Sequence, residues 1–451
     1  HQAGIGAMVE DYGHPSYRGK LGENTVTIAE VLKNHGYQTY QVGKWHVGEE
    51  EAHWPGARGF DQYFTFINGA SSYYNLWPYR AGADSLKMVY NGNRYRPNQG
   101  YYMTDAFSEH AARFIEQHNS DQPFFMYLAY TAPHWPLHAL PEDIAKYRGK
   151  YQLGWDSLRA QRFEKMQKLG VIPSGFPLSP RHATVPAWAN VPEAERDQWD
   201  TKMALYAAVI DRMDQGIGRV LEALEKKGEL ENTFIVFLSD NGGCHETMPP
   251  RNSPYPIDGP PGAERSFPSY DPPWANVSNT PFTWFKSFTH QGGIASPFIV
   301  YAPSLLDKSR RGSVNSVRIG HISDLMPTAL ELAGVPYPEE YQGRKITPTV
   351  GQSIIKSLHS SQETGHEILC WEHLGSRAIR QGDWKLVANG KADWVNDEPV
   401  WELYNLAQDP FETQNVISEF PERAEALKAQ YAAWAVKTGV LGPKAFNEIR
   451  R

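Results

Sequence analysis

KMALYAAVIDRMDQGIGRVLEALEKKGELENTFIVFLSDNGG, residues 202–243, is the stretch whose reading decides the fold. Met203, Ala207, Ile210, Met213, Ile217, Val220 and Leu224 recur at three- and four-residue steps, the period of one helix face. The apolar run 234–238 then reads as a strand and delivers Ser239, Asp240 and Asn241 onto two glycines. Asn-Gly after an apolar run often marks a hairpin. A hairpin needs a second strand at once, and the chain continues as CHETMPPRNSPYP, which is not one. The stretch is therefore a helix, a strand and a polar group set at the strand's end.

The same scheme occurs twice more. In ENTVTIAEVLKNHGYQTYQVGKWHVG, Asn24 or Thr25 caps a helix whose Val26, Ala29 and Leu32 share a face, and Gly36 closes it. A strand over 37–42 follows and ends at Gly43-Lys44-Trp45-His46. In TDAFSEHAARFIEQHNSDQPFFMYLAYTAPHWP, Thr104 or Asp105 caps a helix with Phe107, Ala111, Phe114 and Ile115 on one side. The strand 124–130 comes next, then a loop bearing His134 between two prolines. Helices alternating with near-continuous apolar strands imply an α/β fold, a mostly parallel sheet flanked by helices. In such sheets ligands bind beyond the carboxyl ends of the strands, so Lys44 and His46, His134, and Asp240 with Asn241 have a physical reason to converge.

The chain has 451 residues, which suggests two domains rather than one ordinary core. From about residue 360 the pattern changes to short strands with turn signals, EILCWEH, SRAIRQGDWKLVAN and PVWELYNL, closed by the helical PERAEALKAQYAAWAVKTG. The expected division is a catalytic α/β domain over 1–359 and a smaller α+β domain with an antiparallel sheet over 360–451. The basic-aromatic stretch between His138 and Val191 reads equally as a surface helix and as a lid.

Net charge is -7 with no basic block, which argues against a nucleic-acid partner, and no apolar stretch is long enough to span a bilayer. Cys244 and Cys370 are the only cysteines, either one disulfide or two free thiols. The sequon Asn276-Val277-Ser278 reads as a chance match. The chain opens on His1 and runs straight into HQAGIGAM, which reads as the middle of a domain, so an upstream segment is expected.

Asp240 and Asn241 offer a carboxylate and a carbonyl, hard oxygen ligands that suit Ca²⁺ or Mg²⁺. Lys44 and His46, two apart in extended chain, point the same way. FTWFKSFTHQGGIASPFIVYAP adds Lys286, His290 and Gly292-Gly293 before a further strand over 297–301, and its glycines let backbones pack closely. Singly, each lysine or histidine reads as an ordinary surface or loop residue. Together they describe a grip on a tetrahedral oxyanion ester, in which cation and lysines neutralise the non-bridging oxygens and a histidine protonates the leaving oxygen.

These motifs make the chain resemble the sulfatase family of the alkaline-phosphatase superfamily. The resemblance is carried, in order, by HQAGIG, IAEVLKNHGYQTYQVGKWHVG, FMYLAYTAPHWP, FIVFLSDNGG, WFKSFTHQGGIASPFIVYAP, HISDLMPTALELAG and WELYNLAQDPFETQNV. It implies that Asp240 and Asn241 are two Ca²⁺ ligands, with Mg²⁺ or Mn²⁺ as alternatives. It implies that Lys44 and Lys286 hold the sulfate, that His134 stands at the leaving group and that His46 supports the nucleophile. His290 is placed among the substrate-binding residues. The substrate implied is a small-molecule or carbohydrate sulfate ester; the family analogy points to the periplasm or secretion, and a cytoplasmic location stays open.

The family's nucleophile is a formylglycine made from Cys or Ser in a C/S-x-P-x-R motif shortly before a stretch like HQAGIG. It is expected upstream of this chain, together with the family's first metal-binding Asp pair, the first strand of the sheet and a helix. HPSYR, residues 14–18, has the wrong spacing, and neither Cys244 nor Cys370 fits. Two other functions stay open: a phosphate or phosphonate ester hydrolase on the same scaffold, and a non-catalytic remnant that binds a sulfated ligand.

Overall fold

In a computed structural model of the protein, all residues are described except 9, 79–85, 120, 248–255, 317, 361–364, 391–398 and 451, and two further side chains, at 443 and 450. The chain enters its first helix, α1 (Ile28–Lys33), through a capping box at Thr27 rather than at Asn24 or Thr25. The Thr27 hydroxyl accepts from the Glu30 N–H at 3.0 Å, and the Glu30 carboxylate accepts from the Thr27 N–H at 2.7 Å. Strand β1 (Gln38–Lys44) follows, then β2 (Gln62–Phe66), β3 (Met88–Tyr90) and β4 (Asn93–Tyr95). Helix α2 (Met103–Gln117), for which neither Thr104 nor Asp105 serves as cap, leads to β5 (Phe124–Ala129).

These strands form one sheet in the order β4-β3-β2-β1-β5. The pairs β1–β2 and β1–β5 are parallel, whereas β2–β3 and β3–β4 are antiparallel, so the sheet is mixed. Tyr40 and Val42 of β1 point into the main core, where α2 contributes Phe107, Ala111 and Phe114. Gly43 has φ 109°, and a Cβ there would lie 2.0 Å from the Ala129 carbonyl oxygen, so the parallel contact at this end of β1 requires glycine.

After β5 come α3 (Pro141–Tyr147), α4 (Gly154–Lys168) and the long α5 (Glu193–Lys227). Helix α5 packs on α2 with Leu205, Ala208, Val209, Val220 and Leu224 in the same core; of the face read from the sequence only Val220 and Leu224 are fully buried, and Met203 and Met213 are partly buried against it. Between the lid and helix readings of the middle stretch, α4 behaves as a packed helix. Its Trp155 is 1% exposed and meets Trp188, Trp199 and Trp274 edge-on, with its indole N–H donating to the Pro186 carbonyl at 2.8 Å.

Strand β6 (Ile235–Leu238) does not join the five-stranded sheet. Beyond α6 (Asp271–Ser278) and the single turn α7 (Gln291–Ile294), β7 (Phe298–Tyr301) pairs with β6 antiparallel as a separate ribbon. The continuous apolar run leads to the expectation of a parallel strand covered on both faces, but such a run states neither direction nor partner, and β6 is only partly covered, with Phe237 exposed. Among the described residues the edge of β5 away from β1 carries no strand, and Tyr127, Phe298 and Ile299 are exposed.

Helix α8 (Leu325–Ala333), the hairpin β8 (Glu340–Tyr341)–β9 (Arg344–Lys345) and α9 (Ile355–His359) lead to the C-terminal part. There β10 (Ile368–His373), β11 (Ser376–Gln381), β12 (Trp384–Ala388) and β13 (Trp401–Asn405) form an antiparallel sheet in sequence order. The helix Pro421–Thr438 covers it through Ala424, Leu427 and Tyr431. Both cysteines are free thiols, and Asn276 of the sequon is buried in α6. No helix among the described residues is long and apolar enough to cross a membrane.

Candidate active site

Six of the seven residues singled out in the sequence line one cavity of about 1850 Å³: Lys44, His46, His134, Asp240, Asn241 and Lys286. Five of them lie at or beyond the end of a strand, and Lys286 lies in the loop between α6 and α7. Lys44 is the last residue of β1. His46 follows two residues later in a left-handed conformation, φ 55°, with its N–H donating to the Ile67 carbonyl at 3.0 Å. Its ring lies on Gly69, where a Cβ would be 2.5 Å from Cε1 and Nε2. His134 sits beyond β5, and Asp240 and Asn241 sit beyond β6.

Backbone packing joins the last two loops. The Gly242 N–H donates to the Gly293 carbonyl at 3.0 Å, and the Lys286 N–H donates to the Gly243 carbonyl at 3.0 Å. The two Gly-Gly pairs therefore set Lys286 against Asp240 and Asn241.

The electrostatics of the cavity are those of buried positive charge. Burial brings Lys44 down to about 8; Asp240 opposes that shift and Lys286 adds to it. Burial, with Lys44 and Lys286 adding, lowers His46 to about 3. His134 is likewise lowered to about 3 by burial and then by Lys286 and Lys44. Both imidazoles are thus neutral at pH 7. The Nδ1 of His134 lies 2.6 Å from the Trp135 carbonyl, which only accepts, so the proton is on Nδ1 and Nε2 presents its lone pair.

A carboxylate that was not singled out in the sequence faces His134 from the same cavity. Glu246 Oε2 accepts from the Trp135 indole N–H at 3.2 Å and from the Cys244 thiol at 3.3 Å, and its charge works to raise His134. The only signal for it was its place in the loop DNGGCHE.

His290 is the residue the structure does not bring to the cavity wall. It is 0% exposed, its Nε2 lies 2.9 Å from Glu402 on β13, and the Trp284 ring stacks on it at 4.9 Å. A fully buried ring held by a carboxylate of the C-terminal sheet is poorly placed to touch substrate. The hydroxyls of Tyr73 and Tyr74 donate to the His134 and Ala139 carbonyls, and both rings pack internally behind the His134 loop.

By donor type the loop fits a hard cation. The Asn241 amide group spends its N–H on the Gly242 carbonyl at 2.8 Å, which leaves Oδ1 and the Asp240 carboxylate as oxygen donors. Two donors are fewer than the roughly six to eight that Ca²⁺ takes. Among the described residues no group of three or more His, Cys, Asp or Glu converges on a metal-sized point.

Residues 3–335 match the family model described as Sulfatase, and residues 281–433 match the one described as N-sulphoglucosamine sulphohydrolase, C-terminal. An uncharacterized sulfatase of Schizosaccharomyces pombe is 32% identical over 473 residues, covering 98% of this chain and 83% of its own length. An arylsulfatase of Klebsiella aerogenes is 31% identical over 370 residues, 78% of each. A protein solved in complex with its substrate D-glucosamine-2-N,6-O-disulfate has the same fold, with a TM-score of 0.61 at 21% identity, over 94% of this chain and 84% of that one.

Proposed function

This chain belongs to the sulfatase family, a family of sulfuric-ester hydrolases, and from that premise we propose that it cleaves an aryl or carbohydrate sulfate monoester in the cavity at the ends of β1, β5 and β6. The observation that carries the reading is the convergence of Lys44, Lys286, His46 and His134 with Asp240 and Asn241 on one wall. The arylsulfatase relative and the solved structure with a sulfated glucosamine support the two substrate classes.

The work of the chain's own residues follows from that geometry. The Lys44 and Lys286 ammonium groups donate to the non-bridging sulfate oxygens and balance their charge. Pre-placed donors of this kind are worth about 3 kcal/mol of barrier each. His134, neutral in the free site, gains a proton when the anion enters, because negative charge replaces two lysines as its dominant neighbour. Its Nε2 then gives that proton to the leaving oxygen. His46, held by the Gly69 contact, orients the nucleophile. Asp240 and Asn241 would hold the cation. A formylglycine would supply the nucleophile, and Ca²⁺, with Mg²⁺ or Mn²⁺ as alternatives, would supply Lewis-acid charge stabilisation at Asp240 and Asn241.

In this reading the formylglycine is carried on a segment N-terminal to His1. Two features support it. Phe298 and Ile299 of β7 line the cavity at 47% and 58% exposure, apolar strand surface that a further segment would bury. His1 Nε2 lies 2.8 Å from the carboxylate of Glu372, a lining residue, which sets the first residue of the chain against the same cavity. The catalytic unit is then 1–359 and the C-terminal unit 360–451.

The experiment is release of inorganic sulfate by the full-length protein from 4-nitrophenyl sulfate and from sulfated monosaccharides, beside 4-nitrophenyl phosphate. Sulfate release supports the reading. Turnover of the phosphate alone moves the site to phosphoryl chemistry, and tight binding of sulfated sugar without turnover makes it a binding protein.

A further inference from the structure

Three consecutive residues next to the site are held by the C-terminal part, two of them by strands β11 and β13 and the third by Glu412 in the loop after β13. The Thr289 hydroxyl donates to the Arg377 carbonyl on β11 at 2.9 Å. His290 Nε2 lies 2.9 Å from the Glu402 carboxylate on β13, which also accepts from the Tyr404 hydroxyl at 2.8 Å. The Gln291 N–H, first of α7, donates to Glu412 at 2.6 Å, and the other Glu412 oxygen accepts from Lys385 of β12 at 2.5 Å. Lys385 also donates to the Gln291 side-chain oxygen at 3.3 Å.

This last arrangement is costly to build. Both side chains of the Lys385–Glu412 pair are 0% exposed, and taking two charges out of water is repaid only when geometry and extra hydrogen bonds satisfy them. Glu412 moreover adopts φ 58°, a left-handed conformation rare for a residue with a side chain. Hydrophobic residues of the same volume would hold the sheet together as well. The pair does something they would not: it aims a fixed carboxylate at one backbone N–H.

That N–H begins the turn on which the site loops rest. Gly292 N–H donates to the Thr283 carbonyl at 2.9 Å, Gly293 accepts from Gly242, and Gly243 accepts from Lys286. Contact is backbone to backbone throughout, with a Cβ at Gly292 falling 2.1 Å from the Thr283 carbonyl oxygen. A shift of 289–291 is carried through these backbone contacts toward Lys286, Asp240 and Asn241, in a loop that the Asn279 side chain also braces by accepting from the Gly243 N–H at 2.7 Å.

We infer that the C-terminal sheet sets the geometry of the active site through Glu412, with Lys385, Thr289, His290 and Glu402 as positioning residues. The inference deepens the sulfatase reading and rests on it for its catalytic consequence; the coupling between sheet and loop does not.

The test uses the full-length protein and the variants Glu412→Gln, Thr289→Val, Thr289→Ser and Glu402→Gln. Hydrogen exchange by mass spectrometry is followed on peptides spanning 240–243 and 283–293, beside kcat and KM per folded molecule. Expected in Glu412→Gln and Thr289→Val is exchange at least tenfold faster in both peptides, with kcat down at least fivefold and KM changed less than twofold. Thr289→Ser, which keeps the hydroxyl, restores both. If Glu412→Gln does not fold, Thr289→Val and Glu402→Gln, which remove one contact each, carry the same readout. Unchanged exchange at 240–243 in folded variants, or loss of protection confined to the C-terminal sheet, overturns the inference. A wild-type protein without turnover overturns the sulfatase reading instead, and exchange alone then decides the coupling.

Discussion

The Gly242 N–H donates to the Gly293 carbonyl at 3.0 Å across a contact so close that a Cβ on Gly242 would lie 1.7 Å from the Gly292 carbonyl oxygen. Neither side of that contact has a rotatable group, so relief requires backbone movement. Gly242→Ala is expected to destabilise the protein by about 1–3 kcal/mol, the usual cost of overpacking. It also pushes Asp240 and Asn241 away from Lys286, and misplacement of about 1 Å at a reacting centre costs roughly a hundredfold in rate. Thermal melts beside kcat/KM on an aryl sulfate check both, and full activity in the alanine variant would refute the coupling of the two loops.

Gly69→Ala isolates His46. The new methyl would stand 2.5 Å from the imidazole, whose backbone is already fixed at φ 55° by strand-end hydrogen bonding. The ring has to move while the core around it stays packed. Expected is a fall in kcat/KM of about ten- to a hundredfold with a melting temperature close to wild type. Equal losses of activity and stability would mean that Gly69 serves the fold and not His46.

Alkaline pH should discharge Lys44. Burial lowers its ammonium to about 8, so the charged form that grips an anion is present below that pH and is lost above it. A bound anion favours the charged lysine, so the limb in kcat lies at higher pH than the limb in kcat/KM. Sulfate affinity is expected to fall about tenfold per pH unit beyond the limb. Lys44→Arg, which does not deprotonate in this range, should abolish the limb whatever its activity. An alkaline limb that survives the arginine variant excludes Lys44 as its source.

Proton uptake should accompany anion binding at His134. The neutral ring, held near 3 by burial and two lysines, gains proton affinity once the substrate's negative charge arrives. Calorimetry of sulfate binding at pH 5 in buffers of different ionisation enthalpy reads the uptake directly. His134→Asn should remove it. Glu246→Gln should reduce it, because that carboxylate works to raise His134. Binding without proton exchange in the wild type would leave His134 unable to act as the acid.

A hard cation should stabilise the protein through the DNGG loop. Calcium at about a hundred times its Kd adds about 2.7 kcal/mol to the folded state, read as a rise in melting temperature reversed by chelator. Asp240→Ala and Asn241→Ala should both blunt the rise. A rise unaffected by either variant would place the cation elsewhere.

Much of the candidate site is legible in the sequence because five of its residues follow strands. An apolar run that stops at Asp240-Asn241, or at Lys44, announces a polar group delivered to the edge of a sheet. The alternation of helix and strand, and the change to short strands after residue 360, were equally plain. Boundaries and caps were less so: Thr27 begins α1 because its hydroxyl and the Glu30 carboxylate answer each other's backbone N–H groups, a local pairing that Asn24 and Thr25 imitate in composition.

Local pattern therefore determined where the chemistry sits along the chain, because hydrophobic periodicity and loop glycines are short-range properties written residue by residue. Partnership was decided only in three dimensions. Nothing in FIVFL distinguishes a strand that joins β5 and is covered on both faces from one that pairs antiparallel with β7 and leaves Phe237 exposed, since an apolar run does not state its partner. Nothing in FTHQGG tells a histidine that faces substrate from one that Glu402 holds in the interior, since that depends on a carboxylate 112 residues away. Glu246 lies beside His134 through a hydrogen bond to Trp135 that spans 111 residues. Such contacts are set by how the C-terminal sheet and the strand-end loops pack together, and packing of that range leaves no periodicity in the sequence to read.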